Sequence, residues 1–319
     1  MADDAPKVLG GTAIRPKERH GWEAVKYLLY NPETGEVLTR TPKSWALITV
    51  FYLIYYSCLA AFWAAMMAVF LQTLPTENRP KLETTAGLIG KSPGLGLRPA
   101  QSAEFVDSSM IMYDPDDQSS WEGWAARCKK FLDENYADAD KQPTETPAFN
   151  IDSLGPCGKD NYGYDQGKPC IFLKLNKIFN LEHTYYTKEN INPDNQAFKE
   201  LEEESQKSVK EMPEELKTHI ERKSGDDAKQ VWVDCQAKNP ADKEALPQSK
   251  ITYHPERGFP DKYFPFKGQE NYHSPLVAVQ FEPQTKGQLI HIECRAWAGN
   301  IGYNRRDKIG IASFEIRLL

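Results

Sequence analysis

Charge is missing from one stretch of this 319-residue chain: no Asp, Glu, Lys or Arg occurs between Lys43 and Glu77. A helix rises about 1.5 Å per residue, and a bilayer core of about 30 Å takes about 20 apolar residues. The run from Trp45 to Leu74, WALITVFYLIYYSCLAAFWAAMMAVFLQTL, is long enough to span with tilt. In lipid only a helix or a closed barrel satisfies its own backbone, and a single segment cannot close a barrel. Chemistry-bearing motifs are also scarce. No HExxH, Walker phosphate loop or kinase signature is present, which removes those enzyme classes as readings. No CxxC pair exists and the six His are scattered, so a zinc site is disfavoured. No N-x-[ST] sequon occurs, so the chain offers no acceptor for an N-linked glycan.

What is present fits one span attached to a large polar body: 40% hydrophobic and 26% charged residues, with a mean hydropathy of −0.61. Residues 1–44 are too short and polar to fold alone, whereas residues 75–319 can bury a core of their own. The tail carries seven basic and six acidic residues; subtracting its +1 from the total of −6 leaves −7 beyond it. That balance argues against a nucleic-acid binder. Arg40 and Lys43 precede the span, but Arg79, Lys81 and Lys91 follow it, so the count of positive flanks is close to a tie. Cysteine placement decides better. Cys128, Cys157, Cys170, Cys235 and Cys294 all lie beyond the run, as an oxidising compartment would favour. A polar tail precedes the run, and the run exceeds a signal-peptide core. The expectation is a type II signal anchor with a cytoplasmic N-terminus and an extracellular C-terminal domain.

Within the span, Tyr52 and Tyr56 lie one helical turn apart and share a face. Ser57, Ala61 and Ala65 form a small-residue stripe on another face, which permits close helix approach. A bare lipid anchor needs neither feature, so contact with a partner helix is expected. Before the span, residues 1–21 have no apolar period and read as a disordered tail. Trp22 to Leu38 holds a short amphipathic piece and a turn at Asn31–Gly35, and suits the membrane surface, a partner's cytosolic face or, equally, a disordered tail.

After the span, residues 75–118 read as an extended extracellular stalk, rich in Pro and Gly. The GLGLRP string there resembles a phosphate loop but lacks the strand–helix context. Ser119 and Glu122 spell a capping box ahead of a helix whose stripe is Trp121, Trp124, Ala125, Cys128 and Leu132. Residues 133–147 read as an acidic loop. From Phe149 the pattern turns to short β-type runs: 170–175, 230–236, 276–281, 289–297 and 311–318. Such runs predict a β-sandwich over 119–319. The charged interruption from Asn195 to Asp226 predicts helices with a solvated face. Bridges between Cys157 and Cys170 or between Cys235 and Cys294 are candidates, at about 3 and 4 kcal/mol on a loop-closure model. Spacing alone leaves the pairing open, and five cysteines leave one over.

Five segments carry a family likeness in order and spacing: YYSCLAAFW at 55–63, YGYDQGKPCIFLKLNKIF at 162–179, YFPFKG at 263–268, PLVAVQF at 275–281 and IECRAWAGNIGY at 292–303. The chain resembles the beta subunit of the sodium/potassium-transporting ATPase, over a span from about Trp22 to the C-terminus. The gastric proton/potassium pump's beta subunit is the near alternative. The resemblance implies a single transmembrane α-helix plus a mainly-β ectodomain, an immunoglobulin-like β-sandwich with helical insertions. It implies a non-catalytic plasma-membrane subunit, without cofactor, that helps the catalytic alpha subunit fold and reach the surface and tunes potassium affinity. A small single-span regulatory subunit and membrane lipid are its further partners. Contact with the alpha subunit is carried over to Tyr52 and Tyr56 in the membrane, next to Ser57 and Ala61, and to Tyr263, Phe264, Pro265, Phe266, Lys267 and Gly268 outside it. Family position pairs Cys157 with Cys170 and Cys235 with Cys294, leaving Cys58 and Cys128 as thiols. Three features depart from the family pattern. A first disulfide has no counterpart here, with Ala148 where its second cysteine belongs; no sequon is present; and membrane glycines of relatives stand here as Ser57, Ala61 and Ala65.

Two readings of other classes compete. Asp138-Ala-Asp140 spells the DxD of a type II glycosyltransferase, but lies in a polar acidic loop rather than at the end of an apolar strand. A type II adhesion receptor shares the layout and differs in needing no obligate partner.

Overall fold

The computed structural model describes residues 21–32, 35–75, 79–87, 90, 92–100, 109–136 and 146–319. Residues 1–20 of the tail expected to be disordered over 1–21, and Asp138 and Asp140 of the acidic loop, lie outside the described residues. The chain divides into two compact units at Leu74–Pro75.

In the first unit, α1 (Trp22–Leu29) runs into a two-stranded hairpin, β1 (Tyr30–Asn31) and β2 (Glu36–Val37), with Tyr30 opposite Val37. The long helix α2 (Pro42–Gln72) follows. Thr41 caps it, its Oγ1 accepting the Ser44 N–H at 3.3 Å, and Pro42 occupies the first turn, where its missing N–H costs nothing. At 31 residues the helix is about 46 Å long, and it is the one helix among the described residues long and apolar enough to cross a membrane. None of its residues is buried.

The second unit stacks two sheets. One has five strands in the order β4 (Met110–Tyr113), β11 (Ile311–Leu318), β10 (Leu289–Trp297), β6 (Gln230–Ala237), β8 (Gly258–Pro260). The other has four: β3 (Leu95–Arg98), β5 (Cys170–Leu175), β9 (Val277–Phe281), β7 (Ile251–His254). Every pairing is antiparallel except β4 with β11. Ile171 pairs with Val279 on β9, and Phe281 of that strand meets Phe314 of β11 at 5.6 Å, a contact that closes the two sheets over one core.

Each sheet also has a covered outer face, which explains why β5 and β6 are almost wholly buried rather than alternating. Helix α3 (Gln118–Tyr136) lies over the four-stranded sheet, where Phe131 meets Phe172 at 6.4 Å and the Lys174 ammonium lies over the Phe131 ring. Three short helices, α4 (Gln196–Lys199), α5 (Glu203–Glu211) and α6 (Glu214–Glu221), cover the five-stranded sheet. Their Phe198, Val209, Leu216 and Ile220 enclose Trp232 and Trp297 in a second core. The expected solvated face therefore has a buried reverse. A further short helix, α7 (Pro240–Ala245), follows β6.

Both disulfides, Cys157–Cys170 and Cys235–Cys294, are formed, and Cys58 and Cys128 are free. The second bridge joins directly opposite residues of neighbouring strands. Two expectations are corrected. The stretch read as stalk contributes β3 and β4, one to each sheet. Gly96 allows the close approach: an added Cβ would stand 3.3 Å from the Lys174 carbonyl oxygen. The cap of α3 is not a Ser119–Glu122 box, because Ser119 already lies inside the helix. Asp117 accepts the Ser119 N–H at 3.0 Å instead.

Candidate partner-contact surfaces

Two surfaces gather the residues singled out in the sequence, one in each unit. On α2, Tyr52 and Tyr56 stack with ring centroids 5.9 Å apart. Together with Trp45, Thr49, Leu53 and Ser57 they line a shallow groove along the helix. Ser57 is only partly available there, since its Oγ donates back to the Leu53 carbonyl at 2.7 Å. Ala61 is outside that lining, turned about 140° around the helix from Tyr56. The tyrosines and the small-residue stripe thus address two directions. A ring with a phenolic tip exposed at membrane depth brings a hydroxyl that lipid tails cannot satisfy.

The loop Tyr263–Gly268 follows β8 and is held from several directions. The Phe266 carbonyl accepts the Asn180 N–H at 2.9 Å, and Phe266 packs on Phe179 at 4.7 Å and Tyr272 at 4.9 Å. The Lys177 ammonium sits about 5 Å from both the Phe266 and Tyr272 rings, a cation–π clamp. Phe264 meets His183 edge-on at 4.7 Å. Gln269 closes the turn, accepting the Lys267 N–H at 2.8 Å and donating to the Pro265 carbonyl at 3.1 Å. Gly268 takes φ +83°, a left-handed conformation that glycine adopts without strain.

The six loop residues are not equivalent. Tyr263 is 5% exposed and packs on Phe149, so its side chain supports the loop from within. Phe264, Pro265 and Phe266 are half-buried, and Lys267 is the exposed one. Burial sets the electrostatics. It holds His183 down at about 4, against the opposing pull of Asn300 and Asp261, so the ring is neutral at ordinary pH. It pushes Tyr272 up to about 12 and lowers Lys177 below the usual lysine range. Lys177, Phe179, His183 and Tyr272 are the members that sequence reasoning missed. Only Lys177 and Phe179 carried a signal, as part of the 162–179 motif.

The remaining reactive groups are structural. Cys128 sits on the buried stripe of α3 beside Tyr164, and burial pushes its thiol up to about 12. Gly90 to Gly94 has the GxSxG spacing of a hydrolase elbow. Its Ser92 leads into β3 rather than turning from strand to helix, and its Oγ accepts the Gly302 N–H at 2.9 Å. Among the described residues no group of three His, Cys, Asp or Glu is placed to hold a metal ion.

A family model described as sodium/potassium ATPase beta chain matches residues 15–314. The chain is 38% identical over 305 residues to sodium/potassium-transporting ATPase subunit beta-1 of Drosophila melanogaster, covering 91% of each. It is 35% identical over 322 residues to the subunit beta-2 of the same fly, covering 95% of this chain and 94% of the relative. Against human subunit beta-2 the identity is 29% over 328 residues, covering 93% and 94%.

Proposed function

Since the chain belongs to the sodium/potassium ATPase beta chain family, we propose that it works as the non-catalytic beta subunit of a sodium/potassium pump. Its obligate partner is the catalytic alpha subunit, with a small single-span subunit as a further one. It assists folding and delivery of the alpha subunit to the plasma membrane and adjusts potassium affinity. The N-terminus faces the cytoplasm and the disulfide-bearing unit faces outside. Residues 1–44 serve as tail, 45–74 as anchor and the rest as extracellular domain.

One observation carries the reading: a 31-residue span with no buried residue holds two stacked tyrosines on one face. Their hydroxyls need a hydrogen-bonding partner in the membrane, and a second helix supplies one. Tyr263 to Gly268 is proposed as the external contact, with Phe264, Phe266 and Lys267 facing the partner and Tyr263 as support. Ser57, at the edge of the tyrosine groove, and Ala61, turned away from it, are proposed to allow close approach of a partner helix.

The test is co-purification with the alpha subunit in mild detergent, followed by potassium activation of the assembled pump. Tyr52→Leu with Tyr56→Leu should lower recovery of the alpha subunit or shift potassium activation, while Tyr→Phe at both sites separates hydroxyl from ring. Unchanged recovery and unchanged activation in the double Leu variant would sink the membrane contact. A chain that never co-purifies would favour a free-standing receptor.

A further inference from the structure

We infer that the apolar face of α1 lies in the membrane–water boundary, on lipid, beside the entry of the spanning helix. At about 100° per residue, Trp22, Val25, Leu28 and Leu29 fall within an arc of roughly 120°, while Lys26 stands about 160° from Leu28. That face is open in the unit that contains it: Trp22 is 74% exposed, Leu28 49% and Leu29 54%. In water such a patch on an eight-residue helix has no compensation, since a helix this short is marginal without an apolar surface to rest on.

Hydrogen bonds to the start of α2 also fix its height. The Leu29 carbonyl at the end of α1 accepts the Leu38 N–H at 3.4 Å. The neighbouring Val37 carbonyl accepts both the Arg40 N–H at 3.1 Å and the Trp45 indole N–H at 2.8 Å. Trp45 opens the apolar run, where an interfacial tryptophan belongs. The end of α1 is therefore tied, through two hairpin residues, to the first turn of α2. A helix held at that level and open along an apolar face meets the headgroup region, where amphipathic helices embed by about 5–10 Å. Electrostatics does not drive the contact: residues 21–43 contain three acidic and three basic side chains. The anchor is apolar rather than polybasic. The inference requires only that α2 spans a bilayer, and not the identity of the partner.

The test uses the full chain in bilayer nanodiscs, in a Cys58→Ala background, with a nitroxide at Leu28→Cys or at Lys26→Cys; Cys128, buried and held protonated, stays unlabelled. Accessibility to oxygen and to a water-soluble nickel chelate gives depth. Leu28 should read as lipid-embedded and Lys26 as aqueous, in phosphatidylcholine alone and equally with added phosphatidylserine. Aqueous readings at both sites would overturn the inference. So would protection of Leu28 that arises only when the catalytic partner is present, since the face would then belong to that protein. Embedding that requires phosphatidylserine would overturn its apolar basis.

Discussion

Replacing both Cys235 and Cys294 by alanine isolates what one cross-link contributes. The two residues face each other across β6 and β10, fully buried, in a ladder that runs from Ile292–Ala237 to Trp297–Trp232. That ladder keeps the strands in register without the sulfurs, so the bridge acts mainly on the unfolded chain. It closes a sequence separation of 59, worth about 4 kcal/mol by loop closure, against about 3 kcal/mol for the separation of 13 at Cys157–Cys170. For a unit of this size, about 4 kcal/mol should lower the melting temperature by roughly 8–16 °C. Urea unfolding of the full chain in mild detergent, read by the fluorescence of buried Trp232 and Trp297, measures the loss. Alanine at both positions avoids the unpartnered hydroxyl that serine would bury at additional cost. The unfolding slope should rise, because an uncross-linked chain exposes more surface. In cells the consequence is fewer assembled pumps with unchanged turnover per pump, since the proposed role supplies no chemistry. A loss below about 1 kcal/mol, or an equal loss for the two bridges, would refute the loop-closure argument.

Three further outcomes follow from burial. His183 has a folded value of about 4 against an ordinary 6.5, so it binds its proton later in the folded chain. Its contribution is present above pH 6.5 and is lost as pH falls toward 4, by on the order of 3 kcal/mol; His183→Gln should flatten that acid limb in a stability titration, and an unchanged limb would contradict the assignment. Cys128, raised to about 12, keeps its full contribution below pH 9 and loses it as pH rises to 12. Cys128→Ala should remove one proton's worth of alkaline slope, and the native thiol should resist alkylation at pH 8 until urea opens the domain. Leu216→Ala should cost about 2–5 kcal/mol by the same urea assay, because Leu216 is fully buried in the core under α6. A cost near zero would return Asn195–Asp226 to a solvated appendage.

Legibility in the sequence tracked how local the cause was. The span, and Tyr52 with Tyr56 on one face, follow from composition and the helical period alone. Strands β5, β10 and β11 have the bounds their β-type runs and the flanking Gly and Pro suggest, with alternation visible in β10 and β11. β3 and β4 were hidden because four residues each cannot show a period, and because their partners, β5 and β11, are far along the chain. The buried reverse of α4–α6 was hidden for a similar reason: its apolar residues are divided among three short helices, two of them rich in charge. Lys177, Phe179, His183 and Tyr272 converge only through tertiary structure, so no spacing rule could have gathered them around the loop.

The two surfaces differ in how much of the contact each brings ready-made. Around Tyr263–Gly268, the Lys177 clamp, the Asn180 hydrogen bond and the Gln269 turn fix the backbone before anything arrives. In the proposed contact, a partner meeting that loop has little ordering entropy left to supply. On α2 no residue is buried, and Tyr52 and Tyr56 stack on each other and meet Phe51 and Tyr55 edge-on. There, affinity must come from burying rings and finding acceptors for two hydroxyls, which a bilayer alone does not provide. Substitutions beneath the loop, such as at Tyr263, should thus act through the shape presented, whereas substitutions on the span act on the contact itself. Stability of the isolated chain separates the two: it should fall for Tyr263→Ala and stay unchanged for Tyr52→Leu with Tyr56→Leu, although both weaken assembly.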